Sequence, residues 1–178
     1  MSASPVLFPR SRIAAHPSVQ SAWIPVLLSL IFVCFTSTSF MGGNHTQVLV
    51  NGVWQTFLGK WHWELTAPVN IMCRKVGHFL GYGVIGLIFR NAWHASIRGR
   101  LLRIGASLAT LQGMVSVSAL SVLSTFIVAS LDELHQRFVP GRVSSFHDVM
   151  VDTTGAIFLN VVFWAARAHK RRKALNAC

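Results

Sequence analysis

Charged residues are absent from four stretches of the chain, residues 13–59, 76–89, 104–131 and 153–166. A helix rises about 1.5 Å per residue, so about 20 apolar residues cross the roughly 30 Å hydrocarbon core of a bilayer. The first and third stretches contain uncharged spans of that length, at residues 23–41 and 104–130. The second and fourth must be extended to 71–92 and 146–166, which brings ionisable groups into the membrane edge. The pattern predicts an all-α, polytopic membrane protein with four transmembrane helices in a bundle.

These spans divide the chain into three parts. Residues 1–22 are predicted to be a cytoplasmic N-terminal segment, 23–166 a four-helix membrane domain with an outer loop at 42–70, and 167–178 a basic cytoplasmic tail. A cleaved signal peptide is the alternative for the first span, because Arg10 and Arg12 precede an apolar run that ends in small residues. The run is longer than the apolar region of a usual signal peptide, which favours a retained helix.

The composition agrees with a membrane environment. Only 12% of the residues are charged, about half of the roughly 25% found in soluble domains. Apolar residues make up 52% of the chain and the mean hydropathy is +0.50. The chain has too few charges to cover the surface of a water-soluble globule, so the lipid bilayer is its expected partner.

The charge distribution predicts the orientation. The chain has 16 Lys and Arg residues against 5 Asp and Glu, a net charge of +11. Eleven of the basic residues precede span one, lie between spans two and three, or follow span four, and all five acids fall on the other side. Positive charges mark the cytoplasmic side, so both termini are predicted to be cytoplasmic, in a multi-pass protein of the plasma or inner membrane. The basic excess is explained by topology and does not indicate nucleic-acid binding.

Span two carries polar residues at helical spacing. Lys75, His78 and Tyr82 are three and four residues apart, which predicts one stripe facing a partner helix. Gly77 and Gly81, with Gly86 further along, predict close approach to neighbouring helices. The competing interpretation is that Lys75 extends to the head groups and His78 is a packing residue.

Spans three and four bring carboxylates to the same predicted outer side. Asp132 and Glu133 precede Gln136 by four and three residues, so they cluster if the helix continues that far. Ser144 or Ser145 can cap the fourth helix, and Ser145-x-x-Asp148 resembles a capping box. Asp152 lies one turn deeper and needs a partner, for which Lys75, His78 and Arg142 are the candidates.

The sequence thus predicts that polar side chains from three spans converge in the outer leaflet. The predicted ligand-binding residues are Lys75, His78, Tyr82, Asp132, Glu133, Gln136, Arg142, Asp148 and Asp152. If the cluster is catalytic, Asp132, Glu133, His78 and Asp148 are the candidate acids and bases. No HExxH or comparable spacing organises a metal site, and the three cysteines are scattered singly, so no metal or cofactor is predicted.

The same residues resemble a known family. The motifs are Lys75-x-x-His78-Phe79-x-x-Tyr82, Asp132-Glu133-x-x-Gln136-x-Phe138-x-Pro140-Gly141-Arg142, and Ser145-x-x-Asp148 with Gly155. Together they resemble the VanZ-like integral membrane proteins, over roughly residues 74–155. Asp152 is a departure, because the family more usually places Asn there. The resemblance implies a link to low-level resistance to the glycopeptide antibiotic teicoplanin, without supplying a mechanism.

Three functions fit this reading. The first is a non-catalytic envelope protein whose outer-leaflet polar site binds a lipid-linked or lipophilic amphiphile, with Lys75 and Arg142 on its anionic groups. The second is a membrane enzyme that acts on an envelope lipid through the Asp, Glu and His cluster. The third is an ion-pair lock that holds the spans together without a ligand.

Overall fold

The computed structural model describes residues 18–38, 43–103, 111–140 and 144–177. Its elements are α1 (Val19–Thr36), α2 (Gly43–Leu58), a 3₁₀ turn (Trp63–Leu65), α3 (Thr66–Arg103), α4 (Leu111–Gln136) and α5 (Phe146–Asn176). In the part of the chain that the structure describes, all regular secondary structure is helical. Four segments are long and apolar enough to cross a membrane, at Val19–Thr36, Trp63–Arg98, Gly113–Gln136 and Phe146–Asn176. The prediction of an all-α chain with four membrane spans is confirmed.

The helix bounds differ from the predicted spans in ways that have physical causes. The predicted outer loop 42–70 contains α2, whose exposed Leu49, Val53 and Phe57 recur every four residues, the spacing of one helix face. α3 begins before residue 71 because Pro68 lies in its first turn, where no backbone N–H is needed. α5 continues past residue 166 to Asn176, since Lys and Arg are good helix formers outside the membrane. α4 is described from Leu111, so residues 104–110 of the predicted third span lie outside the described chain.

α3 is the central helix of the bundle. It packs against α1, α2, α4 and α5, and its interface with α5 is the most extensive. α3 and α5 run in the same direction, because His78 lies beside Asp152 and Arg90 beside Phe163. α1 and α4 run in the opposite direction, as alternating spans must.

The distribution of side chains is that of a protein in lipid. Large apolar residues point outward, such as Ile31, which is 66% exposed, and Phe32, which is 65% exposed. Polar residues are buried instead, including Ser121 and Thr125 with no exposed surface. Buried hydroxyls are tolerated in a membrane interior because they bond to backbone carbonyls, as Thr125 does to Ser121 and Ser121 to Gly86.

Indole side chains join the helices at the end where arginines collect, which we call the basic end (Arg90, Arg98 and Arg167). There Trp N–H groups donate to Ser hydroxyls across helix pairs, each at 3.0 Å: Trp23 to Ser96, Trp93 to Ser124 and Trp164 to Ser118. The rings of Trp23 and Trp93 also pack edge to face, with centroids 5.4 Å apart. These contacts tie α1 to α3, α3 to α4, and α4 to α5.

α3 and α5 approach each other at small residues, but not at the predicted ones. A Cβ built on Gly155 would lie 2.0 Å from the backbone oxygen of Phe79, and one on Gly86 would lie 2.9 Å from the Cβ of Ala156. A Cβ on Gly77 or Gly81 would have no described atom within 4 Å. The prediction of close approach is confirmed for Gly86 and is wrong for Gly77 and Gly81, which lie on the open side of α3.

Candidate functional site

The carboxylate of Asp132 joins three helices. One oxygen accepts from the Tyr82 hydroxyl of α3 at 2.8 Å and from the Gln136 amide of α4 at 2.9 Å. The other accepts from the hydroxyl of Ser37, which ends α1. All four residues are buried, so this polar node (Ser37, Tyr82, Asp132 and Gln136) satisfies the carboxylate entirely within the protein.

Glu133 makes a different connection, to the start of α5. Its carboxylate accepts the backbone N–H of Ser145 at 2.8 Å. Ser145 caps α5, as predicted, but its hydroxyl accepts from the N–H of His147. In a capping box the side chain of Asp148 would bind the Ser145 N–H, whereas here Glu133 from α4 does so. A negative charge at a helix N-terminus is favourable, which explains why Glu133 is stable at the end of α4.

Asp152 is the most deeply buried acid of the described chain, with 1% of its surface exposed. Its Oδ1 lies 3.4 Å from Nδ1 of His78, and no described donor makes a hydrogen bond of good geometry to either oxygen. Of the three partners proposed from the sequence, His78 is the one beside it. Lys75 is exposed and makes no described ion pair, and Arg142 lies outside the described residues.

Asp148 lies at the same end of the bundle, in the first turn of α5. Its side chain is 34% exposed and 3.8 Å from Nδ1 of His147, an exposed neighbour. We call this end the acidic end (Asp132, Glu133, Asp148 and Asp152). Among the described residues, no ion pair or hydrogen bond joins Asp148 to the polar node or to His78, so its part in binding or catalysis stays a prediction.

A polar cavity of about 170 Å³ opens between α1, α2, α3 and α4 at the acidic end. Its lining includes the whole polar node, with further residues from α1, α2 and α3: Val33, Thr36, Thr46, Arg74 and His78. The ring of His78 stacks over that of Tyr82, with centroids 6.1 Å apart. Arg74 is the one Lys or Arg side chain in this lining, and no described carboxylate forms an ion pair with it.

Lys75 faces a different surface. It lines an apolar groove of about 500 Å³ on the outside of α3, next to Met72, Val76 and Val151 of α5. The polar stripe of α3 is therefore Arg74, His78 and Tyr82, a strict four-residue spacing, and not the predicted stripe that begins at Lys75. A role for Lys75 in ligand binding stays a prediction, but it does not share the cavity with His78 and Tyr82.

Five residues of the cavity lining were not identified from the sequence: Val33, Thr36, Ser37, Thr46 and Arg74. Arg74 could have been found, because it precedes His78 by the same four residues that separate His78 from Tyr82. Ser37 and Thr46 carry no such signal, since hydroxyl residues are common near the ends of membrane helices. Within the described ranges, no group of three or more His, Cys, Asp and Glu side chains is placed to hold a metal ion.

The four membrane-length helices and the buried polar groups at one end define a multi-pass integral membrane protein. The model of the VanZ/LLP1 family matches residues 6–167. The chain belongs to the VanZ/LLP1 family. No curated protein and no solved structure matches the chain.

Proposed function

We propose that this protein binds the anionic head group of a lipid-linked or lipophilic amphiphile in the cavity at the acidic end, on the outer side of the cell membrane. The observation that supports the proposal is which polar groups of the cavity lining already have hydrogen-bond or ion-pair partners. Both oxygens of Asp132 already accept hydrogen bonds from protein donors, whereas the guanidinium of Arg74 has no carboxylate partner in the part of the chain that the structure describes. The cavity therefore offers unused donors and fits an oxygen-rich, negatively charged group.

The size of the cavity supports a head-group site. A volume of about 170 Å³ is smaller than the roughly 300–1,000 Å³ of sites that enclose a whole small molecule. Only a polar head could enter, and an attached chain would remain in lipid. The neighbouring helices suit such a chain, because α1 exposes Phe32 and Phe35 and α2 exposes Val48 and Leu49.

Adjacent cations allow a direct test of the cavity. We expect Arg74→Ala to weaken binding of dodecyl phosphate to the purified protein about 10-fold or more, because a charged hydrogen bond contributes about 1.5–3 kcal/mol. Lys75→Ala removes the same charge one residue away, outside the cavity, and should change the affinity less than twofold. Calorimetry in neutral detergent measures both, with dodecanol as the uncharged control.

The opposite ranking would locate the site elsewhere. If Lys75→Ala weakens binding and Arg74→Ala does not, the apolar groove beside Lys75 is the binding site and the cavity is not. The family resemblance adds teicoplanin, an amphiphile with an acyl chain, as a second probe. A link to teicoplanin resistance requires that Arg74→Ala also lower the resistance conferred by the expressed protein, at unchanged expression.

A membrane enzyme is the second candidate, and one observation favours it. His78 lines the cavity while Asp152 lies behind its Nδ1 at 3.4 Å, the arrangement in which a carboxylate orients a histidine base. Asp132 and Glu133 are weaker candidates for the base, because their carboxylates accept hydrogen bonds from Tyr82 and Ser145 respectively. In this mechanism His78 would take a proton from a water or hydroxyl in the cavity.

A turnover measurement distinguishes the enzyme hypothesis from the binding hypothesis. If the enzyme reading holds, the wild type releases phosphate from dodecyl phosphate, and His78→Gln lowers the rate about 100-fold or more while binding persists. Asp152→Asn should lower the rate less than His78→Gln, because it acts only through the histidine. Binding by the wild type without any phosphate release would favour the non-catalytic function.

A further inference from the structure

Arg90 is a buried cation in the membrane-spanning part of α3. Only 4% of its surface is exposed, and its Nε is fully buried without a hydrogen-bond partner in the described chain. The guanidinium lies over two aromatic rings of α5, 3.8 Å from the centroid of Phe163 and 4.7 Å from that of Trp164. These rings stabilise its charge from one face, while the N–H groups in the guanidinium plane need acceptors.

No Asp or Glu side chain of the described residues is positioned to supply those acceptors. All five Asp and Glu residues of the chain precede α3 or lie at the acidic end. Asp152 precedes Phe163 by eleven residues of α5, a separation of about 16 Å along the helix. Arg167 lies four residues, or about one turn, beyond Phe163 on α5, so the charge nearest to this part of α5 in sequence is also positive. Among the described residues, no carboxylate balances the charge of Arg90.

We propose that Arg90 and Arg167 bind the phosphodiester head group of an anionic phospholipid at the basic end of the bundle. Arginine binds phosphate oxygens through paired N–H donors, and basic pockets between membrane helices are typical sites for anionic head groups. The aromatic face holds the guanidinium in one orientation. Trp164 is itself fixed, because its indole N–H donates to Ser118 of α4 at 3.0 Å.

The position of the site within the fold supports a lipid over a soluble ligand. Arg90 lies over Phe163 and Trp164 of α5, and the residues just before them on α5, Val161 and Val162, are apolar and 59% and 44% exposed. A phosphate that reaches Arg90 along this surface would bring acyl chains into contact with those valines. This site is at the opposite end of the bundle from the cavity of Arg74, so the two proposals stand independently.

Native mass spectrometry of the full chain in neutral detergent tests the proposal. An Arg74→Ala background removes the proposed cavity site from the measurement. In that background we expect phosphatidylglycerol to be retained at least 10-fold more than phosphatidylcholine, and Arg90→Gln to abolish the preference. Arg90→Lys keeps the charge but not the paired donors, so an intermediate preference is expected. Equal retention of the two lipids, or a preference that survives Arg90→Gln, would overturn the proposal.

Two further measurements test whether the variants fold and whether the bound phosphate group belongs to a lipid. Arg167 is exposed, so Arg167→Gln should fold normally and lower the preference about threefold; an unchanged preference would remove Arg167 from the site. If Arg90→Gln does not fold, Arg90→Lys and Arg167→Gln decide the matter together, and full preference in both contradicts the proposal. Inorganic phosphate that displaces phosphatidylglycerol at millimolar concentration would show that the site takes free phosphate instead of a lipid.

Discussion

Replacing Asp132 with alanine is expected to destabilise the bundle by about 3 kcal/mol. The substitution leaves the buried donors of Ser37, Tyr82 and Gln136 without their common acceptor. Each donor then loses a charged acceptor, and a water molecule in the cavity is a weaker acceptor than a carboxylate. The effect is measured as a change in the free energy of unfolding in mixed micelles of increasing SDS content. Unfolding is followed by circular dichroism or tryptophan fluorescence.

Two serines provide a matched control for this prediction. Ser37 donates to Asp132 on another helix, whereas the hydroxyl of Ser130 bonds to the Phe126 carbonyl within α4. Ser37→Ala should therefore cost about 1 kcal/mol, and Ser130→Ala close to none. If the polar node acts as a unit, Ser37→Ala should cost less in the Asp132→Ala background than in the wild type. An Asp132→Ala protein as stable as the wild type would show that the polar node does not hold the helices together.

The second large effect is expected from Gly155→Ala. The new Cβ would lie 2.0 Å from the backbone oxygen of Phe79 and 2.8 Å from its carbonyl carbon, and backbone atoms within a helix cannot move aside locally. α3 and α5 must separate, so we expect a loss of about 3 kcal/mol in the free energy of unfolding. The separation would also move His78 away from Asp152, which lies on α5 one turn before Gly155.

The same substitution elsewhere on α3 isolates the packing effect. Gly77→Ala and Gly81→Ala place a methyl group where no described atom lies within 4 Å. Since alanine favours the helix over glycine by about 1 kcal/mol, both variants should be as stable as the wild type or more so. Equal losses at Gly77, Gly81 and Gly155 would mean that close packing of α3 against α5 does not explain the requirement for glycine.

The candidate site shows how far sequence reasoning extends. The spacing of Asp132 and Gln136 predicted that both lie on one side of α4, where the Gln136 amide donates to Asp132. The cost of burying Asp152 predicted a nearby cation or donor, and His78 lies 3.4 Å from it. The predicted stripe contained Lys75 and not Arg74, which is the cation that lines the cavity. Neighbouring residues on a helix point about 100° apart, so the hydropathy pattern of a helix that is apolar on all sides cannot tell which of the two faces its neighbours.

The glycines illustrate the same limit. Gly77 and Gly81 have the spacing that permits close helix approach, yet the contact is made by Gly155 and Gly86. A small-residue spacing shows that a surface can be approached and not that another helix approaches it.

The sequence by itself determined the helical class, the four membrane spans and the end of the bundle at which the acids collect. These follow from the length of apolar runs and the cost of charge in lipid, which depend on composition along the chain and not on neighbours. Only the tertiary structure decided that Ser37 completes the polar node, that Arg74 lines the cavity, and that Arg90 lies against α5 without an acid. Each of these depends on the rotation of one helix against another, which is set by packing and by hydrogen bonds between distant residues.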